Sequence, residues 1–464
     1  MTKTFLQYVA KDLLAKHPDG LARVAVVFPN KRASLFLNRA LAETARQAAK
    51  AEGHAVAPLW SPAYITISEL FRHHSSLTVP QDIDLVFTLY QSYCTATGQK
   101  PNDDDNNNIG HFYGWGQKLL ADFDDVDKNM APVDKLFRYV EAYEDLGPDF
   151  ADLSEEQRRS ISDFFHLLNT NPTDLKQRFV ELWKQMPAIY QQFHKDLESR
   201  SLAYEGMLYR SVVENENIKF QFDEYVFIGF NLLQKVEQEL FRRLKKAGKA
   251  RFYWDYDEQY LRRFTSDATG MESHAYSDAG RYIGRYLDEF PNELSVNRLS
   301  DGLNYNEIYR QMAQPKDITY ATAKTETAQA TYIAEWLQGG KGGRFQTSAS
   351  HTNDCRMPKD PCQAVRTAIV LADESLLPQV IHSLPKDIGE VNITTGYPLR
   401  ECPVSSFVNA LLDLQQTGHG KGNDWYRAKQ TKHVLRHPLA RYIYDRADDV
   451  AKEIDLQARF YKNY

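Results

Sequence analysis

The chain has no run of apolar residues long enough to cross a bilayer, which excludes a helical membrane protein. Its 464 residues include only four cysteines (Cys94, Cys355, Cys362, Cys402), irregularly spaced, with no CxxC pair and no histidine partner at zinc spacing. That argues against a disulfide scaffold or a structural zinc site and leaves free thiols, the state expected in a reducing cytoplasm. The first twenty residues interrupt their apolar positions with Lys3, Lys11, Asp12 and Lys16, so they read as an amphipathic helix and not as a secretion signal. No GxxxxGK[ST] sequence occurs, so there is no loop whose backbone amides would cradle a nucleotide's phosphates. The glycine clusters 339–343 and 418–422 lack that spacing and read as flexible loops. A strong excess of one charge is missing too: a net charge of -6 sets up no global pull toward nucleic acid or an anionic membrane, and any such contact must be local. No cofactor and no metal are expected.

What is present is a pattern of alternating strands and helices. Val24 to Phe28 (VAVVF) is a continuous apolar, β-branched run stopped by Pro29-Asn30, the signature of a strand buried on both faces of a parallel sheet. A helix over Lys31–Ala48 follows, with Leu35, Phe36, Leu41 and Ala42 on its apolar face, and Ser68 is placed to cap another after Ile65-Thr66-Ile67. From about 82 to 215 apolar residues recur at spacings of three and four, which predicts an all-helical insertion with helices near 82–97, 111–122, 132–145, 154–168 and 173–200. The sheet resumes with a strand at 225–228, a helix over 232–247 and a strand at 250–254, a β-α-β crossover. A second α/β unit is predicted from strands at 318–321 and 367–371 with a helix at 325–338 between them, and 339–363 reads as a disordered surface loop. The fold class is α/β. A first parallel-sheet domain comprises 1–81 and 216–264, with the helical insertion at 82–215. After an unassigned stretch at 265–314 come a second α/β domain at 315–415 and a helical region from 416 to 464.

Six colinear segments carry a family resemblance: VVFPNKRASLFL (26–37), FYGWGQKLLADFDDVDKNM (112–130), AYEGMLYR (203–210), FIGFNLLQKVEQELFRRL (227–244), FYWDYDEQY (252–260) and VNITTGYPL (391–399). Together they resemble the helicase-like part of Bacteroidetes AddB-type proteins, which are inactivated superfamily I helicases, over roughly residues 1–415. The resemblance implies tandem RecA-like (P-loop NTPase-type) parallel-sheet domains with a large all-helical insertion in the first. It also implies a non-catalytic subunit of an AddAB-type helicase-nuclease. Such a subunit binds DNA, single-stranded or at duplex ends, and an AddA-type partner helicase during double-strand-break processing and recombinational repair. Family members usually carry a C-terminal PD-(D/E)XK nuclease. No acidic, Asp, (Glu/Asp)-x-Lys series occurs here, and the last residues (ARFYKNY) read as helical, so a truncated chain that does not cut DNA is expected.

A helicase motor also needs an acidic pair at the end of a buried strand, one carboxylate to hold magnesium and one to position the attacking water. The strand at 225–228 ends instead in Gly229-Phe230, a degenerate form of that site. Asp255, Asp257 and Gln259 resemble the turn that senses the γ-phosphate in helicases, one residue out of register. An acidic strand-end turn explains them equally well, and a lone magnesium site at Asp255 and Asp257 is a third reading. The resemblance places the DNA-contacting turn at Asn30, Lys31 and Arg32. Cations at a helix N-terminus oppose the helix dipole, and a phosphate contact would offset that; the alternative is two solvated charges. The basic run Arg242–Lys249 reads as a solvated face, and Phe112, Trp115, Leu119 and Leu120 as core. Beside the non-catalytic DNA-processing scaffold stand two alternatives: a divergent nucleotide hydrolase using Asp255 and Asp257, and a structural interaction subunit that never touches DNA.

Overall fold

The computed structural model describes residues 4–53, 58–101, 108–138, 174–261, 280–294, 306–316, 318, 320–337, 367–385, 388, 391–396, 398–420, 422–456 and 461–463. The chain forms two compact units, Met1–Lys316 and Asp317–Tyr464. No helix among the described residues is long and apolar enough to cross a membrane.

The first unit is built on four parallel strands, β1 (Val24–Phe28), β2 (Ala63–Thr66), β3 (Glu224–Ile228) and β4 (Ala250–Tyr253), in the order β2-β1-β3-β4. Val27 of β1 pairs with Ile65 of β2 and Phe227 of β3, and Phe227 pairs with Phe252 of β4. Every residue of β1 is buried, because its side chains alternate between two cores. Val24, Val26 and Phe28 pack with α1 (Phe5–Lys16) and α2 (Arg32–Glu52), while Ala25 and Val27 face the other layer. The chain leaves β1 toward β2 in one direction and leaves β3 toward β4 in the other. Right-handed crossovers therefore put α2 and α9 (Lys235–Lys246) on opposite faces of the sheet.

Between β2 and β3 lie α3 (Ile67–His73), α4 (Asp82–Thr97), α5 (Ile109–Lys128), α6 (Val133–Arg138), α7 (Asp174–Glu198) and α8 (Glu205–Glu214). No strand occurs among the described residues of 82–214, and these helices share one core with the sheet face carrying Phe227 and Phe252. Phe112, Leu119 and Leu120 are buried in it, with Trp115 packed against Tyr93 and Phe112. The stretch read as unassigned joins this unit: Tyr286, Phe290, Leu294 and Tyr309 are buried in its cores. The sequence-predicted helix at 154–168 and the loop at 339–363 lie outside the described residues.

Three local expectations are corrected. Thr66, not Ser68, caps α3: its hydroxyl accepts from the Glu69 amide (3.1 Å) while the Glu69 carboxylate accepts from the Thr66 amide (2.9 Å), a reciprocal capping box. On α2 the buried positions are Leu37, Ala40 and Leu41, whereas Leu35 and Phe36 are 71% and 59% exposed. The basic run 242–249 is only in part a solvated face: Arg242, Lys245 and Lys246 are exposed, and Arg243 and Lys249 are half-buried. Arg243 donates to the carbonyls of Asn215 (2.7 Å) and Glu216 (2.8 Å), Lys249 to those of Phe220 (3.2 Å) and Phe222 (3.0 Å), and Arg242 pairs with Glu289.

In the second unit the helix at 326–337 forms as predicted, but the described residues of 318–321 and 367–371 are not strands. Tyr320 is 90% and Val370 88% exposed: these runs have strand composition, but among the described residues no neighbouring strand completes a ladder beside them. Helix Pro403–Thr417 packs through Phe407, Ala410 and Leu414 against Val434, Ala440 and Ala447. The only sheet among this unit's described residues is antiparallel, β5 (His419–Gly420), β6 (Gly422–Arg427) and β7 (Tyr461–Asn463). His419, Gly420 and Gly422 of that glycine cluster therefore lie in a strand pair, and Tyr461–Asn463, in the stretch read as helical, form a strand that pairs with Trp425–Arg427.

Candidate functional site at the carboxyl edge of the sheet

In an open parallel sheet the strand order reverses at one place, and the crevice outside the carboxyl ends of those two strands is where ligands bind. Here the reversal falls between β1 and β3. Register continues from Val27 beside Phe227, so Pro29-Asn30-Lys31-Arg32 and Gly229-Phe230 are the two turns that flank it. The structure thus brings the sequence-predicted basic turn and the degenerate acidic position together.

Each residue of the basic turn has a local task. The Asn30 side-chain oxygen accepts from the Arg32 amide (3.1 Å), which starts α2. Lys31 pairs across the edge with Glu69 on α3, and that bond holds the Glu69 carboxyl below its ordinary pKa range. Both partners are solvated, so the pair adds little stability. Beyond Arg32, the exposed Leu35 and Phe36 sit on the first turns of α2, and Leu232 is exposed after β3. Periodicity could not reveal this apolar patch, because it mixes with the buried face of the same helix.

On the β3 side the chain turns at Gly229 with φ +74°, a left-handed conformation that glycine adopts without penalty. Phe230 is 4% exposed and meets the rings of Phe227 (centroids 6.1 Å) and Phe241 (5.4 Å) edge to face. Phe230, read from the sequence as part of a degenerate acidic site, belongs to the core.

Asp255, Asp257 and Gln259 leave the same edge after β4. Asp257 is buried, and both its oxygens serve backbone amides: Oδ1 accepts from Gln259 (2.9 Å) and Oδ2 from Met312 (2.8 Å). It ties the strand end to the 310–314 segment, with little capacity left for a metal. Desolvation raises the Asp255 carboxyl above the ordinary aspartate range. Among the described residues no group of three or more His, Cys, Asp or Glu side chains converges on a metal-sized site.

Sequence reasoning missed a second polar centre, inside the helical block. Asp127, in the last turn of α5, is fully buried and accepts from the hydroxyls of Tyr190 and Tyr204. His194 Nε2 approaches it at 3.2 Å, and Arg210 Nη1 at 3.3 Å also donates to the Ala131 carbonyl (3.2 Å). The only signal was indirect: two of the resembling segments, ADFDDVDKNM and AYEGMLYR, each carry charged residues that the fold brings face to face. Comparison with protein-family models and with curated proteins finds no match to this chain.

Proposed function

We propose that the chain is a non-catalytic, helicase-like subunit that binds DNA, single-stranded or at duplex ends, and works beside an active AddA-type helicase in double-strand-break processing. The observation that carries this reading is the pairing of a closed catalytic position with an open binding surface at one sheet edge. Phe230 fills the place of the acidic pair and Asp257 is engaged by backbone. Lys31, Arg32, Leu35 and Phe36 form a surface that is basic and apolar at once, the combination that follows a phosphate backbone and stacks bases. In this reading the first unit is an inactive RecA-like domain with its helical insertion. A second RecA-like domain rests on the resemblance alone.

The test is salt-dependent binding to single-stranded DNA. The Lys31→Ala, Arg32→Ala double variant lowers affinity and reduces the slope of log K against log salt by about 1.4, at about 0.7 per lost phosphate contact. Unchanged binding removes this turn from the interface. Glu69→Gln keeps the capping box and releases Lys31, so affinity rises roughly threefold, the scale of an exposed ion pair. A fall in affinity would argue that the Lys31–Glu69 pair positions the turn for DNA.

A further inference from the structure

Charge is spread unevenly along the second unit. Residues 425–444 (WYRAKQTKHVLRHPLARYIY) hold the cations Arg427, Lys429, Lys432, Arg436 and Arg441 and no Asp or Glu, in a chain whose net charge is -6. The fold gathers the first part of this run on one surface. Strand β6 leads directly into helix Ala428–Leu435. Neighbouring strand residues face opposite ways, and the Tyr426 ring lies against His419 (centroids 4.7 Å). Trp425 and Arg427 therefore share the other face, and both are exposed. On the helix Ala428 and Val434 are buried, whereas Lys429, His433 and, at its C-cap, Arg436 recur on the exposed side at spacings of four and three. From Lys429 to Arg436 the stripe runs about 10 Å, the rise of about three nucleotides of a DNA strand.

Local structure accounts for only some of these charges. Lys432 (2.6 Å) and Arg436 both bind the Asp455 carboxylate of helix Ala447–Leu456, two cations on one acid. Among the described residues Arg427 and Lys429 have no ion pair. They stand at the N-cap and in the acid-free first turn of their helix, where the dipole already concentrates positive potential, so their placement works against local stability. Beside them Trp425 is 43% exposed, which gives a base a ring to stack on next to cations for its phosphates. An anionic membrane would attract the same charges, but the exposed side of helix Ala428–Leu435 is polar and has no apolar face to enter the headgroup region.

We propose that this face of the second unit holds single-stranded nucleic acid without regard to sequence, its phosphates against Arg427, Lys429 and Arg436 and a base on Trp425. The site lies in the other unit from the sheet edge and does not rest on the reading given to that edge. The test is a fluorescence-anisotropy titration of the whole chain with a short thymidine oligonucleotide. It is run in a Lys31→Ala, Arg32→Ala background, so that the sheet edge does not contribute. Polyglutamate at equal charge and vesicles of phosphatidylserine and phosphatidylcholine in equal parts are the comparisons. The expected result is binding that survives in this background. A further Arg427→Ala, Lys429→Ala change weakens it at least tenfold and lowers the slope of log K against log salt by about 1.4, at about 0.7 per contact. Trp425→Ala weakens it roughly fivefold or more and leaves that slope unchanged. All three side chains are exposed, and matching circular dichroism melts verify that the variants are folded. Absence of binding in the Lys31→Ala, Arg32→Ala background overturns the proposal and leaves the sheet-edge reading standing. It is also overturned if either folded variant binds as its background does, or if polyglutamate or the vesicles bind as tightly as the oligonucleotide.

Discussion

Replacing Asp127 with alanine is expected to lower the unfolding free energy by about 3–5 kcal/mol, the scale for removing one partner of a buried ionic network. The size follows from what is left behind. Two tyrosine hydroxyls, His194 and the Arg210 guanidinium lose their shared acceptor, a carboxylate that is itself fully buried. The packing of α5 against α7 and α8 loses its polar anchor at the same time. The pH dependence carries a definite sign. Burial is the largest influence on Asp127 and raises its pKa, but the bonds from His194, Tyr190 and Tyr204 together outweigh it and hold the carboxyl below 3.8. A carboxyl depressed on folding contributes stability that is complete above the unfolded value and is lost as pH falls through the folded one. The parent's urea midpoint should therefore decline as pH drops below 3.8, and the alanine variant's should decline less. A loss under about 1 kcal/mol at neutral pH would show that the network contributes little net stability.

The second large effect concerns the closed catalytic position. Phe230→Asp places an acid at the end of β3, yet the expected result is destabilisation by about 4 kcal/mol and no gain of ATP hydrolysis. The substitution removes a ring packed against Phe227 and Phe241 and leaves a carboxylate in an aromatic core. Nothing in the sequence supplies the phosphate loop that such an acid would serve. Urea unfolding and a phosphate-release assay check the two halves. A folded Phe230→Asp chain that hydrolyses ATP would mean the edge is a dormant motor rather than a closed one.

The two central strands of the first unit's sheet were legible because they are buried on both faces, whereas the half-buried β2 was not read as a strand. VAVVF and YVFI read as unbroken apolar runs, and the turns after them could be located to the residue. The helical block was legible from spacing alone. The second unit was not: ITYA and TAIVL have strand composition, but composition does not provide a neighbouring strand, and among the described residues none lies beside them. At the sheet edge, the residue types of the candidate site could be read, but not their use. Asp257 has three readings in sequence, a γ-phosphate-sensing turn, an acidic strand-end turn and a lone magnesium site, and in space two backbone amides from residues 259 and 312 engage it. Leu35 and Phe36 were assigned to the buried face because a helix with apolar residues at 35, 36, 37 and 41 has two candidate faces, and only packing chooses between them. Asp127 and its partners lie 63 to 83 residues apart, beyond any local pattern.

The most direct test of the account is a titration of this chain with single-stranded DNA at two salt concentrations, with and without ATP, alongside a measurement of phosphate release. The predicted result is binding that weakens as salt rises, is indifferent to ATP and is accompanied by no turnover. ATP hydrolysis that Asp257→Ala abolishes, or no binding to DNA at low salt, would contradict it.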